Sequence, residues 1–198
     1  MLFLQLSRAL ASSTRITEVL KTDVDLTDEN AGQKDKKVEN GRVEFKNVYF
    51  KYYEKRKENV LENISFTAEP GEIVGIIGTT GSGKSSLVQL IPRLYDVTDG
   101  EVLVDGVNVK DYGLKNLRDG VGMVLQKNVL FSGSIEENLR WGDENATMEE
   151  IRAAADAAQA DGFVNAFTDG YNMELGQGGV NVSGGQKQRL CIARALLK

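Results

Sequence analysis

Gly78-Thr79-Thr80-Gly81-Ser82-Gly83-Lys84-Ser85 has the spacing G-x-x-x-x-G-K-[ST], which is typical of a loop that wraps phosphate groups. Glycines let the backbone turn tightly, so that consecutive N–H groups point at phosphate oxygens. A helix predicted from Lys84 to about residue 94 would aim its N-terminal dipole at the same anion. Lys84 can bridge the β- and γ-phosphates, and the Ser85 hydroxyl can ligate Mg²⁺. The alternative is a glycine-rich turn that binds nothing.

Strand patterns lie on both sides of this loop. The apolar run at residues 73–77, directly before it, is typical of a strand buried on both faces. Alternating apolar residues predict strands over residues 43–52, with a bulge near Asn47, and over residues 60–66. A turn is predicted at residues 69–72. Further strands are predicted at residues 101–104 and 121–125, so the chain is of the α/β class.

The second half of the chain has helical periodicity. Helices are predicted at residues 134–141, 148–158, 161–167 and 183–197. Thr147 and Glu150 have the spacing of a capping box, which favours a structural role for both. Trp141 is either packed or part of a contact surface, and Cys191 is predicted to be a small buried apolar residue.

The N-terminal region divides into a helix and a linker. Apolar residues at three-to-four spacing predict an amphipathic helix from residue 1 to about residue 20. This helix either packs on its own domain or meets a partner, and the pattern leaves both open. Residues 21–41 are rich in charge and have no periodicity, which predicts a linker.

Composition excludes several classes of function. The 198 residues include no histidine and one cysteine, so Ser-His-Asp and Cys-His catalysis, histidine metal ligands and internal disulfides are excluded. The net charge of −5 gives no electrostatic indication of nucleic-acid binding. No Asn-Lys-x-Asp tetrapeptide follows Lys84, which argues against a guanine-specific GTPase. No run reaches the roughly 18 apolar residues of a membrane span, and a secretory signal is not predicted.

A second cluster resembles the signature motif of ATP-binding cassette (ABC) proteins. Val182-Ser183-Gly184-Gly185-Gln186 opens a helix that continues to Leu197 through Lys-Gln-Arg-Leu-Cys-Ile-Ala-Arg-Ala-Leu. Alone, the cluster is also compatible with a plain capped helix start. Together with the phosphate loop, it resembles the exporter branch of the ABC family over residues 42–198. Tyr52 resembles the aromatic residue that stacks on adenine, Gln126 the Q-loop glutamine, and residues 174–178 the exporter X-loop. Alternatively, Tyr52 is an ordinary aromatic residue of a strand, and Gln126 is a polar residue at a strand end.

The resemblance implies a fold, a domain organisation and a function. The fold would be a P-loop NTPase (RecA-like) core with an antiparallel β subdomain and an α-helical subdomain at about residues 128–185. Residues 1–22 would be the cytoplasmic end of the last transmembrane helix, residues 23–41 a linker, and residues 42–198 an incomplete nucleotide-binding domain. The parent would be an integral membrane protein whose ATPase, on the cytoplasmic face of the membrane, drives export of an unknown substrate.

The same resemblance assigns roles to individual residues. Tyr52, the phosphate loop, Ser86 and Gln126 would bind ATP, with Ser85 and Gln126 at Mg²⁺. The signature residues, Ser183 and Gly185 above all, would contact ATP held by a second, identical or related, nucleotide-binding domain. The transmembrane domain of the same transporter would be the other partner, and nucleic acid would not be one.

The family pattern also contains groups that this sequence does not match. An apolar strand ending in Asp-Glu (Walker B) and a γ-phosphate-contacting histidine are expected after the signature helix, and neither is present through Lys198. The expectation is therefore a fragment truncated before Walker B, inactive in ATP turnover on its own. A truncated nucleotide-binding or dimerisation module is the alternative function. A soluble ABC ATPase that acts on DNA or ribosomes is disfavoured by the membrane-helix-like N-terminus.

Overall fold

The computed structural model describes the backbone of residues 2–53 and 57–198 and the side chains of residues 5–53 and 57–198. The chain divides into two compact units, residues 1–117 and residues 118–198. The first unit contains four strands and the helix that follows the phosphate loop. The second unit is mainly helical.

Helix α1 (Leu2–Leu20) confirms the predicted N-terminal helix, although Met1 lies outside the described residues. All of its described side chains, at residues 5–20, are exposed, including Leu10 and Ile16 at 62% and 60%. The helix therefore does not bury its apolar residues on its own domain. Among the residues that the structure describes, no helix has the length and apolar character needed to cross a membrane.

The predicted linker forms no helix or strand, but its backbone is attached to the first unit. The Asp105 carboxylate accepts backbone N–H bonds from Glu39, Asn40 and Arg42 at 2.7–3.0 Å. Burial raises the pKa of Asp105, but the N–H donors of residues 39–42 outweigh it and leave this pKa below its usual range. A carboxylate with several N–H donors is a strong local anchor for the chain.

An antiparallel sheet forms the framework of the first unit, in the order β2-β1-β3-β4. Its strands are β1 (Val43–Phe50), β2 (Leu61–Ala68), β3 (Asp99–Val104) and β4 (Val107–Asn108). The predicted bulge is confirmed, because the pairing of β1 shifts register between Phe45 and Val48 with β2 and between Lys46 and Tyr49 with β3. Asn47, at the shift, has a φ of 47°, and its backbone N–H donates to Ser65 Oγ at 2.8 Å.

Helix α2 (Lys84–Leu90) packs on this sheet and so places the phosphate loop. Leu87 and Leu90 are 7% and 1% exposed and belong to the same buried cluster as Phe45, Val48 and Phe50. Burying a leucine contributes about 1.5–3 kcal/mol, so the two side chains fix this helix firmly. It is shorter than the predicted helix, because turns replace it after Leu90. Helix α3 (Leu114–Asp119) was not predicted.

Two predicted strands are wrong. Residues 73–77 and 121–125 have no strand assignment. Ile73 and Ile77 are 97% and 98% exposed, and Leu125 is 52% exposed. A strand exists only where a neighbour satisfies its N–H and C=O groups. None of the described strands pairs with either segment, so neither apolar run forms a strand.

The second unit is built around the helices α4 (Ile135–Arg140), α5 (Met148–Ala157), α6 (Asp161–Asn165) and α7 (Gly184–Leu196). All four predicted helices are confirmed, with ends within two residues. Their core includes Leu130, Ile135, Leu139, Ile151 and Leu190, each at most 1% exposed. A 3₁₀ turn (Gly170–Asn172) and a two-stranded ladder of β5 (Gly133–Ser134) with β6 (Glu174–Leu175) complete the unit.

Three helix starts in this unit are closed by capping boxes. Ser134, Thr147 and Ser183 each accept the backbone N–H three residues later, and that residue's side chain returns the bond. The predicted Thr147–Glu150 box is thereby confirmed. Each box satisfies two N–H groups that the helix itself cannot.

Candidate functional site

The phosphate loop is shaped by glycines in the left-handed region. Gly81 and Gly83 have φ values of 86° and 85°, which other residues rarely adopt. A Cβ at Gly83 would lie 2.9 Å from Val60 O and 2.8 Å from Leu61 Cδ2, so this glycine also allows a close approach to β2. Gly78, Thr79, Thr80, Gly81 and Ser82 are all exposed. The loop therefore presents its backbone to solvent directly before α2.

Lys84 brings a positive charge into the curve of this loop. Its Nζ donates to Gly78 O at 2.8 Å and to Thr79 O at 2.7 Å, and lies 3.5 Å from Ser82 Oγ. An ammonium has three donors in a flexible arrangement, so it can exchange carbonyl partners for phosphate oxygens. Lys84 thus lies inside the curve of the loop, and its contact with phosphate stays a prediction.

The start of α2 has no side-chain cap. Its N-cap is Gly83, and the first helical backbone bond runs from Leu87 N to Gly83 O at 2.9 Å. The N–H groups of Lys84, Ser85 and Ser86 therefore have no acceptor within the helix. Ser85 is exposed and Ser86 is 5% exposed. Ser85 is accessible to a metal ion, whereas Ser86 is largely covered by protein.

Tyr52 lies beside this helix start. Its hydroxyl is 2.7 Å from Ser86 Oγ, and its ring contacts Phe50 and Tyr95 edge-on. Strand β1 ends at Phe50, so Tyr52 lies beyond the paired residues of the sheet. Tyr52 is therefore not part of the paired strand, and its contact with adenine stays a prediction. The sequence did not indicate Tyr95, because no periodic pattern connects it with Tyr52.

The signature residues form the start of α7 in the second unit. Ser183 Oγ accepts from Gln186 N at 3.3 Å, and Gln186 Oε1 accepts from Ser183 N at 2.8 Å. Capping occupies an oxygen lone pair and leaves the Ser183 O–H as a donor. Gly184 and Gly185 are exposed, and a Cβ at either would meet nothing within 4 Å. Val182, 8% exposed, anchors the approach to the helix.

Asn181 connects this helix start to the segment that resembles an X-loop. Asn181 Nδ2 donates to Glu174 O at 2.8 Å, and Asn181 Oδ1 accepts from Gly176 N at 3.1 Å. Glu174 and Leu175 also pair with Gly133 and Ser134 in the β5–β6 ladder. The X-loop-like residues are therefore fixed directly against the approach to the signature.

A buried polar network joins α7 to the loop before α4. Asn138, 2% exposed, donates to Phe131 O and Ser134 O and accepts from Phe131 N. Arg194 donates to Asn138 O at 2.8 Å and to Val129 O at 3.2 Å. The sequence pattern indicates neither Asn138 nor Arg194, since a buried Asn and a half-buried Arg look like surface residues in a helical pattern.

Other predicted residues lie outside these clusters. Gln126 is exposed and follows a segment without strand pairing. Cys191 is half-buried against the core of the second unit rather than fully buried, and burial raises the pKa of its thiol. Within the described residues, no group of three or more His, Cys, Asp or Glu side chains could hold a metal ion.

The antiparallel sheet and the phosphate loop before α2 are those of a P-loop NTPase domain. Residues 61–198 match the ABC transporter family, and the chain belongs to that family. It is 48% identical over 192 residues to the uncharacterised ABC transporter ATP-binding protein YfiB of Bacillus subtilis, covering 97% of this chain and 33% of YfiB. It is 44% identical to the ATP-dependent lipid A-core flippase of Pseudomonas aeruginosa, covering 96% of this chain and 31% of the flippase.

A solved structure has the same fold. A bacterial Atm1-family ABC exporter with ATP bound matches with a TM-score of 0.87 and 32% identity, over 100% of this chain and 34% of that one. Residues 61–198 therefore correspond to the ATP-binding domain of exporter-type ABC transporters. The chain spans about a third of the length of the curated relatives that it matches.

Proposed function

We propose that residues 78–86 bind the phosphates of ATP, with Tyr52 against the adenine and Ser85 at Mg²⁺. The observation that carries this proposal is the Lys84 ammonium, held 2.7–2.8 Å from loop carbonyls beside a helix start without a side-chain cap. An anion there would gain the lysine charge, the loop N–H groups and the helix dipole together. Gln126 would contribute to the Mg²⁺ and γ-phosphate contacts.

The signature residues would complete an ATP site on a second, identical or related, nucleotide-binding domain. Ser183 retains a free O–H donor, and the N–H groups of Gly184 and Gly185 lie at an uncluttered helix start. These features suit contact with the γ-phosphate of a nucleotide held by the partner. Gln186 and Val182 would fix the shape of this helix start.

The transmembrane domain of the same transporter is the other proposed partner. Phe131 and Trp141 stack with ring centroids 4.5 Å apart, yet they are 42% and 65% exposed. An exposed aromatic pair is typical of a contact surface. We place residues 1–22 as the helix that leads from that domain, and the nucleotide-binding domain on the cytoplasmic face of the membrane.

The parent protein would be an ATPase that couples ATP binding and hydrolysis to the export of a substrate. Phosphoryl transfer needs a held metal and a positioned water in addition to a phosphate cradle. The chain contains no histidine, so these residues cannot supply an H-loop contact. This observation favours a second function for the 198-residue chain alone, namely nucleotide binding without turnover.

Equilibrium ATP binding to the 198-residue chain, with Mg²⁺, tests the site. Loss of a lysine–phosphate contact is expected to weaken ATP binding about 10- to 100-fold in Lys84→Ala. Lys115→Ala removes an exposed lysine on α3 and serves as the matched control, with affinity like wild type. Equal affinity in wild type and Lys84→Ala would contradict the site. If the wild-type chain hydrolyses ATP and Lys84→Ala abolishes this hydrolysis, the second function, nucleotide binding without turnover, is excluded.

A further inference from the structure

The Tyr52 side chain is tied by its hydroxyl to the helix that follows the phosphate loop. The two oxygens, Tyr52 Oη and Ser86 Oγ, are 2.7 Å apart, a normal length for an O–H···O hydrogen bond. Ser86 lies in the first turn of α2 and is only 5% exposed. Because water has little access to Ser86, solvent competes only weakly for this hydrogen bond.

Two further rings fix the orientation of Tyr52. The Phe50 ring lies 4.8 Å away at 76°, and the Tyr95 ring lies 5.0 Å away at 87°. Both arrangements are the edge-to-face geometry that aromatic pairs favour. Phe50 is 1% exposed, whereas Tyr52 remains 40% exposed. The ring is therefore held on two sides while part of it stays accessible to a ligand.

The turn that carries Tyr95 is itself clamped beyond the other end of α2. The Arg93 guanidinium binds Asp96 through two bonds of 2.7 and 3.1 Å, and Arg93 is 6% exposed. Leu94 N donates to Gln89 O at 3.0 Å, which joins the turn to the helix. Residues at both ends of α2 thus hold the Tyr52 ring in place.

We propose that Ser86 is a positioning residue for base recognition, acting through its hydrogen bond to the Tyr52 hydroxyl. The bond fixes the distance between the stacking ring and the phosphate loop, so that one nucleotide engages both without reordering the ring. This inference rests on the proposed ATP site. Immobilising a side chain on binding weakens affinity, and loss of the bond transfers that ordering to the binding step.

Binding of two ligands to the 198-residue chain separates the ring from the loop. ATP has a base and a triphosphate, whereas inorganic tripolyphosphate has the phosphates alone. Tyr52→Phe keeps the ring and removes the hydroxyl, so ATP affinity should fall about two- to tenfold while tripolyphosphate affinity stays unchanged. Tyr95→Phe is the matched control, because it removes a hydroxyl from the neighbouring ring and leaves the Tyr52–Ser86 bond intact, and both affinities should stay at wild-type values.

The link between the two residues is tested by a double-mutant cycle. Ser86→Ala removes the partner and a group of the loop, so it should weaken both ligands. Adding Tyr52→Phe to Ser86→Ala should then cause no further loss of ATP affinity. Ser86→Thr retains a hydroxyl and should keep the sensitivity of ATP binding to Tyr52→Phe. Thermal melting of each variant confirms that it is folded.

The possible results separate the two proposals. If wild type and Lys84→Ala bind ATP equally, the proposed ATP site is wrong and this inference falls with it. If Lys84→Ala loses ATP but Tyr52→Phe binds it like wild type, only the positioning role is overturned. Additive effects of Tyr52→Phe and Ser86→Ala would also overturn it. If Ser86→Ala does not fold, the ATP-to-tripolyphosphate ratio of Tyr52→Phe decides alone.

Discussion

Helices α2 and α7 both begin among glycine and serine residues, but their first turns are satisfied in different ways. At α2, the N-cap is a left-handed glycine and no side chain closes the turn. At α7, Ser183 and Gln186 close a capping box, although the adjacent glycines leave space around the backbone. The start of α2 is shaped by the close contact of Gly83 with β2, whereas the start of α7 is shaped by its local capping box. The difference suits the roles proposed above, in which the first loop would surround phosphate and the second helix start would contact a nucleotide held by another domain.

The largest expected effect comes from a substitution at the N-cap of α2. Gly83→Ala forces a side chain into the left-handed region and within 3 Å of Val60 O, so we expect a loss of about 2–3 kcal/mol in unfolding free energy. Gly81→Ala has nearly the same φ but meets nothing within 4 Å, so it should lose only about 1–2 kcal/mol.

Urea unfolding of both variants measures this difference. The Gly81 variant serves as the control for backbone strain, and the excess in Gly83→Ala reports the close contact with β2. Equal losses would show that contact with β2 does not shape the start of α2.

The capping box of α7 should have a smaller effect. Ser183→Ala removes the acceptor for Gln186 N, and loss of an N-cap costs about 1 kcal/mol. Ser183→Thr should retain most of the stability. Ser85→Ala, in the uncapped first turn of α2, should change stability by less than about 0.5 kcal/mol when measured without nucleotide. A comparable loss in Ser85→Ala would remove the distinction between the two helix starts.

A glycine in the first turn of α7 is expected to be unfavourable for stability. Gly184→Ala meets nothing within 4 Å, so stability should rise by about 0.5 kcal/mol through the helix propensity of alanine. Transport by the reconstituted parent transporter should nevertheless fall, since the added methyl group would obstruct the proposed contact of this helix start with a nucleotide on the second domain.

Gly162→Ala is the matched control for this variant. Gly162 is a helical glycine of α6 with nothing within 4 Å, so alanine should give a similar gain in stability without loss of transport. Unchanged transport in Gly184→Ala would indicate that the space at this helix start has no role.

The same contrast explains how much the sequence could predict. Local signals were sufficient for the second unit, where apolar periodicity marks the helices from α4 to α7 and capping boxes mark the starts of α4, α5 and α7. They were also sufficient for the β1 bulge at Asn47. They failed at residues 73–77 and 121–125, because a strand depends on a partner and its own apolar run cannot supply one. Ile73 and Ile77 are almost fully exposed for this reason.

The candidate site was predictable where it follows a motif and not where it depends on tertiary contact. The positions of Lys84 and Ser183 follow from fixed spacings along the chain. The Tyr52–Ser86 bond joins residues 34 positions apart, and the Arg194–Asn138 contacts join residues 56 positions apart. No sequence pattern encodes such pairs, because sheet packing or helix packing brings them together.

The smallest expected effect concerns the chemistry of the caps and depends on pH. Thr147 N and Thr147 Oγ1 both donate to Glu150 Oε2, at 2.7 and 2.8 Å, and these bonds lower the pKa of Glu150 below its usual range against a weak opposing effect of burial. The folded state therefore binds the proton more weakly than the unfolded state. The contribution of this carboxylate to stability is complete above about pH 4.3, the ordinary pKa of glutamate, and is lost as pH falls through the lowered pKa.

Gln186 occupies the same position in α7 and does not titrate. Glu150→Gln converts the first kind of box into the second, so the difference in unfolding free energy between wild type and variant should shrink from pH 7 to pH 3. Glu149→Gln removes a charge from the same turn outside the box and controls for charge alone. A difference that stays constant over this pH range would show that the Glu150 carboxylate closes α5 no better than an amide does.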